Sequence, residues 1–136
     1  MVNIVKRSIN RDINRIADLH TNLHGWLIKV RVTKKGEPFE FWSAWGAGKL
    51  LNVELIDEFG DQIVCTFFNN DTVDRFNKMI EVGKCYLFSN GSIKPANKKY
   101  TSIKNDYQIN IAKEGDVKET EDDVNIKNPN EVFSFT

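Results

Sequence analysis

Apolar residues first settle into a period of two at "GWLIKVRVTKKG" (residues 25–36). Trp26, Ile28, Val30 and Val32 share one side there, and Leu27, Lys29, Arg31 and Thr33 the other. Side chains alternate across a strand, so this segment is predicted as a half-buried strand with a basic outer face. "LLNVELIDEFGDQIVCTFFN" repeats the pattern on both sides of a turn around Phe59, Gly60 and Asp61. Leu51, Val53 and Leu55 point inward on the way out, and Ile63, Cys65 and Phe67 on the way back. Phe68 therefore faces away from Phe67, and at most one of the two fills the main core. The period then changes. In "NNDTVDRFNKMIEVGK", Val73, Phe76 and Ile80 form a helical stripe, with Asn70 or Asp71 as the cap and Gly83 as the stop. "KCYLFSNG" and "DYQINI" are two further strands. The second sets Tyr107, Ile109 and Ile111 against Gln108 and Asn110.

Two segments break the alternation. "PFEFWSAWGAGKLL" carries Phe39, Phe41, Trp42 and Trp45 together with a proline and two glycines, and reads as a loop over 34–49. "SIKPANKKY" is a basic loop within 90–100. The order is then strand, long loop, hairpin, helix, strand, basic loop, strand. That is the order of an all-β, five-stranded Greek-key OB-fold barrel with one helix between strands three and four. In such a barrel strands two and three build the ligand face, and the two loops named above flank it. The expected domain is 19–112. Residues 1–18, with four bases in "KRSINRDINR", form an arm or linker, and 113–136 an acidic linker and C-terminal extension whose acidic run is taken as mobile.

Charge sharpens this division. The chain of 136 residues has 19 basic and 19 acidic residues, yet seven of the acids lie in 114–136 against only Lys118 and Lys127. Residues 1–113 therefore carry a net +5, a basic body that suits a polyanionic partner. Catalysis has little support. His20 and His24 fall outside any nucleophile or metal spacing, and Asp57, Glu58 and Asp61 cluster where a turn favours acids. Cys65 and Cys85 sit alone in apolar runs, without the spacing of a zinc site, and are expected as buried, reduced thiols. "GAGK" (46–49) precedes a strand and has no Ser or Thr after the lysine, so it is no phosphate loop. No metal, cofactor or membrane span is expected, and "MVNIVKRSIN" has no apolar core of a signal peptide.

Binding fits better. Proteins that hold single strands combine a cationic groove with rings on which bases stack. The expected groove face offers Lys29 and Arg31 on the first strand, Trp42 or Trp45 on the first loop and Phe68 on the third strand. Lys94, Lys98, Lys99 and Tyr100 come from the second loop, and Gln108 from the last strand. Phe39 and Phe41 are expected to pack against the barrel.

"FWSAWGAGKLLNVELIDEFG", "GKCYLFSNGSIKPANKKYTSIKNDY" and the terminal "EVFSFT" resemble the first central single-stranded-DNA-binding OB domain of the replication protein A large subunit. The resemblance covers about residues 16–111 and returns at 132–136. It implies a nuclear protein that coats single-stranded DNA in replication, repair and recombination. It also implies that this chain is one domain of a longer subunit, with tandem OB domains and other subunits as partners outside it. The family's stacking rings fall on Phe68 and Tyr100, its loop tryptophan on Trp42, its second-loop lysine on Lys94, and a groove residue on Asn69. Where the family carries arginines, this chain has Glu40, Trp45 and Val64, and Gln108 replaces a glutamate. Such exchanges suit either a divergent replication protein or a telomere-specialised paralogue that binds the G-rich strand. A peptide-binding OB module and an RNA-binding one are the other uses open to this barrel.

Overall fold

A computed structural model describes residues 12–99 and 101–128. The strands are β1 (Leu27–Lys35), β2 (Phe39–Ser43), β3 (Gly46–Ile56), β4 (Gln62–Phe68), β5 (Cys85–Ser89), β6 (Ser92–Pro95), β7 (Tyr107–Ile111) and β8 (Asp116–Glu119). The helix α1 (Asn70–Met79) lies between β4 and β5. They form one curled sheet in the order β6-β7-β4-β3-β1-β5-β8, with β2 paired to β3 alone. All pairings are antiparallel except β4 with β7, which is parallel. Strands β1, β3, β4, β5 and β7 are the five expected from the alternation, and the helix separates the third from the fourth. The architecture is that of an OB-fold.

The inward positions are those the period of two selects. Trp26, Ile28, Val30, Val32, Leu51, Val53, Leu55, Ile63, Cys65, Phe67, Ile109 and Ile111 are all buried. The helix closes one end of the barrel with Val73 and Phe76, whose ring lies 4.8 Å from that of Phe67. Tyr86 fixes the helix exit. Its buried hydroxyl accepts the Glu81 N–H at 2.8 Å and donates to the Met79 carbonyl at 3.3 Å. Burial holds the Cys65 thiol protonated, with its pKa pushed well above the usual thiol range.

Three expectations need correction. The helix is capped by Asn69 rather than Asn70 or Asp71. Its backbone takes a left-handed turn (φ 80°), which Asn tolerates, and its side chain accepts the Asp71 N–H at 3.1 Å. The segment 34–49 is not all loop, because β2 and the start of β3 form a hairpin beyond the barrel. Part of 90–100 is likewise a strand, β6, on the edge of β7.

Packing also continues beyond 19–112 at both ends. Ile16 and Leu19 are buried in the core, and a backbone bond joins Asn14 N–H to the Leu27 carbonyl at 2.7 Å. At the other end β8 pairs with β5, burying Val117, and Ile126 covers Ile56 and Cys85. The acidic run looked solvated because its apolar residues are few and aperiodic. Strand pairing, however, uses the backbone and needs no such period.

Candidate nucleic-acid interface

The outward positions of β3, β4, β7 and β6 make one continuous face, and the strand registers set its rows. Lys94, Gln108, Val64 and Glu54 stand side by side, then Ser92, Asn110, Thr66 and Asn52. A third row continues from Phe68 to Leu50 and on to Phe39 of β2. Polar side chains thus fill the middle of the face and apolar ones one margin.

The polar middle is a single hydrogen-bond network. Gln108 Oε1 accepts the Asn97 N–H at 2.9 Å, tying the 96–99 turn to β7. Gln108 Nε2 donates to Asn110 Oδ1 at 2.7 Å and to Thr66 Oγ1 at 3.4 Å, and Thr66 Oγ1 donates to Asn52 Oδ1 at 2.6 Å. With these oxygens committed, the side-chain nitrogens of Asn52 and Asn110 have no partner among the described residues. They are donors left open on the outward face. Lys94 stands exposed beside Gln108, and no ion pair holds it among the described residues. Lys98 is less available. It bonds Asp106 at 2.8 Å and holds that carboxyl below the usual carboxylate range.

Phe68 ends the row half-buried, directly before the capping Asn69. Asn69 thereby occupies the groove margin while its side chain serves the helix. Trp42 and Trp45 are 85% and 95% exposed at the hairpin tip, a far more open setting than a packed loop would give. Trp42 pairs with Ala47, which puts it on the opposite face of the ribbon from Phe39, Leu50 and Phe68. On that reverse face Lys49 bonds Asp74 of α1 at 3.0 Å, which raises the lysine's pKa and ties the hairpin to the helix. Tyr100 lies outside the described residues.

The structure does not place Lys29 and Arg31 among these side chains. Arg31 donates to the carbonyls of Ile126 (2.6 Å), Gly83 (2.6 Å) and Asp123 (2.8 Å), and to Asp122 Oδ1 at 2.6 Å. Lys29 pairs with Asp123 at 3.2 Å. Both charges are answered by the acidic tail. The alternation put them outward correctly, but no local pattern could name a partner some ninety residues away. Conversely, the sequence did not single out Asn52, Thr66 and Asn110, which the structure sets on the outward face beside Gln108. Their only signal was an outward, polar position on a predicted strand.

A concavity of about 590 Å³ lies elsewhere, around Lys35, Asn77 and Glu81. It is open and polar, and it shares none of the groove residues. Among the described residues no group of His, Cys, Asp and Glu could hold a metal ion, and no helix is long and apolar enough to cross a membrane.

Residues 17–136 match a protein-family model described as "Domain of unknown function DUF223". The chain is 40% identical over 111 residues to the replication protein A 70 kDa DNA-binding subunit of Xenopus tropicalis, covering 82% of this chain. It spans only 18% of that subunit's length. Among solved structures, DNA binding domain A of S. cerevisiae replication protein A is 32% identical, with a TM-score of 0.68. That match covers 82% of this chain and 96% of the yeast domain. A chain of a replication protein A heterotrimer bound to single-stranded DNA superposes with a TM-score of 0.79 at 31% identity, covering 85% of this chain and 26% of the other.

Proposed function

The chain belongs to the replication protein A 70 kDa DNA-binding subunit family, and from that footing we propose that it binds single-stranded DNA, without catalysis, along the open face of β3, β4, β6 and β7. One observation carries the reading: a ring (Phe68), a set of committed amides with outward donors, and a cation (Lys94) with no ion pair among the described residues lie on adjacent strands of one face. Such a face meets each part of a single strand. Bases stack on rings at roughly 1–3 kcal/mol each, amide N–H groups bond base edges or phosphates, and the cation answers the backbone. The names of the relatives support a binding role over an enzymatic one. The family's work also makes the nucleus the proposed compartment, with neighbouring domains and other subunits as partners.

Val64 stands between Glu54 and Gln108 in the middle of the face, where the family carries an arginine. Fewer cations leave more of the affinity to stacking and amide contacts, so a shallow salt dependence is expected. Fluorescence anisotropy with labelled oligo-dT, a G-rich repeat and the matching RNA tests the proposal. Tight binding of DNA single strands, weakened in Phe68→Ala by about 1–3 kcal/mol while the variant stays folded, is the expected result. No binding of any oligomer at low salt would overturn it and favour the peptide-binding use. A strong preference for the G-rich repeat would mark a telomere-specialised domain.

A further inference from the structure

We propose that Phe39, seated beside Phe41 on the β2–β3 hairpin, is a second stacking platform that carries the single strand off the barrel and onto the hairpin. The inference rests on the single-strand reading above and adds the residue that takes the next base.

Register fixes the geometry. Phe39 stands opposite Leu50, and Leu50 opposite Phe68, so the three side chains form one row on one face. Neighbouring strands are about 5 Å apart, which sets the Phe39 and Phe68 backbones roughly 10 Å from each other. Nothing but the half-buried Leu50 stands between them in that row. Phe41 follows on the same face, opposite Gly48, and its ring lies across that glycine so closely that a Cβ there would meet it at 2.4 Å. The glycine leaves the room that the end of this ring occupies.

Phe39 itself is 58% exposed. An aromatic held on a strand, half in water and continuous with a ligand face, is surface kept for contact. The contact chemistry follows from that continuity. A strand whose base stacks on Phe68 has Phe39 as the next ring along the row, and every base offers a π-face to it. Trp42 does not serve this row, since it lies on the reverse face. The hairpin's phenylalanines therefore extend the row.

The test compares wild type, Phe39→Leu, Phe39→Ala and Phe68→Ala by anisotropy with a twelve-nucleotide oligo-dT, with circular dichroism to show that each is folded. Leucine keeps an apolar side chain but removes the ring. Stacking predicts that both Phe39 variants lose about fivefold or more in affinity. Wild-type binding with Phe39→Leu unchanged would overturn this inference and leave the single-strand reading intact. Failure of wild type itself to bind would sink that reading, and this inference with it.

Discussion

Asp57 shows how much one carboxylate can organise. It is buried, and its oxygens accept the N–H groups of Ile16 at 2.9 Å and of Phe59 and Asp61 at 3.1 Å each. The last two bonds shape the β3–β4 turn, and the first docks the chain ahead of β1 onto the barrel. Asp57→Ala leaves buried donors unpaired and is expected to cost about 1–3 kcal/mol, read from urea denaturation. Phe68→Ala divides its effects the other way, with a large loss of affinity and a small loss of stability, because the ring is only half-buried. The sequence shows Asp57 as a turn acid and Phe68 as an outward ring. It cannot show the bond to Ile16, because the two lie 41 positions apart with no pattern that links them.

At the scale of elements, legibility followed burial. Strands β1, β3, β4, β5 and β7 each have one face in the core, so their alternation is imposed and readable. The β2–β3 ribbon stands clear of the barrel. Phe39 and Phe41 share one face, but Trp42 lies with Glu40 on the other, and so short a run beside a proline and two glycines does not mark a strand. Strand β8 was unreadable for the same reason. Its pairing completes the β5 edge, and Ile126 then seals Ile56 and Cys85. Removing everything after Ala112 uncovers Val117's and Ile126's sites and is expected to lower stability by roughly 3–6 kcal/mol, measured by urea denaturation.

The tail contact also carries a pH signature. The Asn125 backbone N–H, and then Lys29, hold the Asp123 carboxyl below the usual carboxylate range. A carboxyl with a lowered folded pKa stabilises fully above its unfolded value, about 3.9, and loses that contribution as pH falls through the lowered one. The stability difference between wild type and Asp123→Asn should therefore stay constant from neutral pH to about 5 and shrink in stronger acid. A difference that grows on acidification would contradict this role.

For the whole molecule, the charge balance acquires a location. The basic body and acidic tail are two sides of one contact at Lys29 and Arg31, so they add little field to the groove. Lys94→Ala is expected to reduce the slope of log affinity against log salt by about 0.7, one phosphate's share on a single strand. Lys29→Ala should leave that slope unchanged and lower stability instead, both read from salt titrations and denaturation. The chain spans 18% of the Xenopus tropicalis subunit's length. Modest affinity of this domain alone would accord with linked domains that gain through effective concentration. The barrel was legible from the strand order. What the order could not reveal is which outward cations are spent on the protein's own tail.

The most direct test of the central claim is to map the bound surface by amide and side-chain chemical shifts as oligo-dT is added to the isotope-labelled chain. Shifts should concentrate at Asn52, Thr66, Phe68, Lys94, Gln108 and Asn110, with Lys29, Arg31 and residues 122–126 unmoved. Shifts centred on Lys29, Arg31 and the tail, with the β3–β4–β7 face silent, would contradict the account.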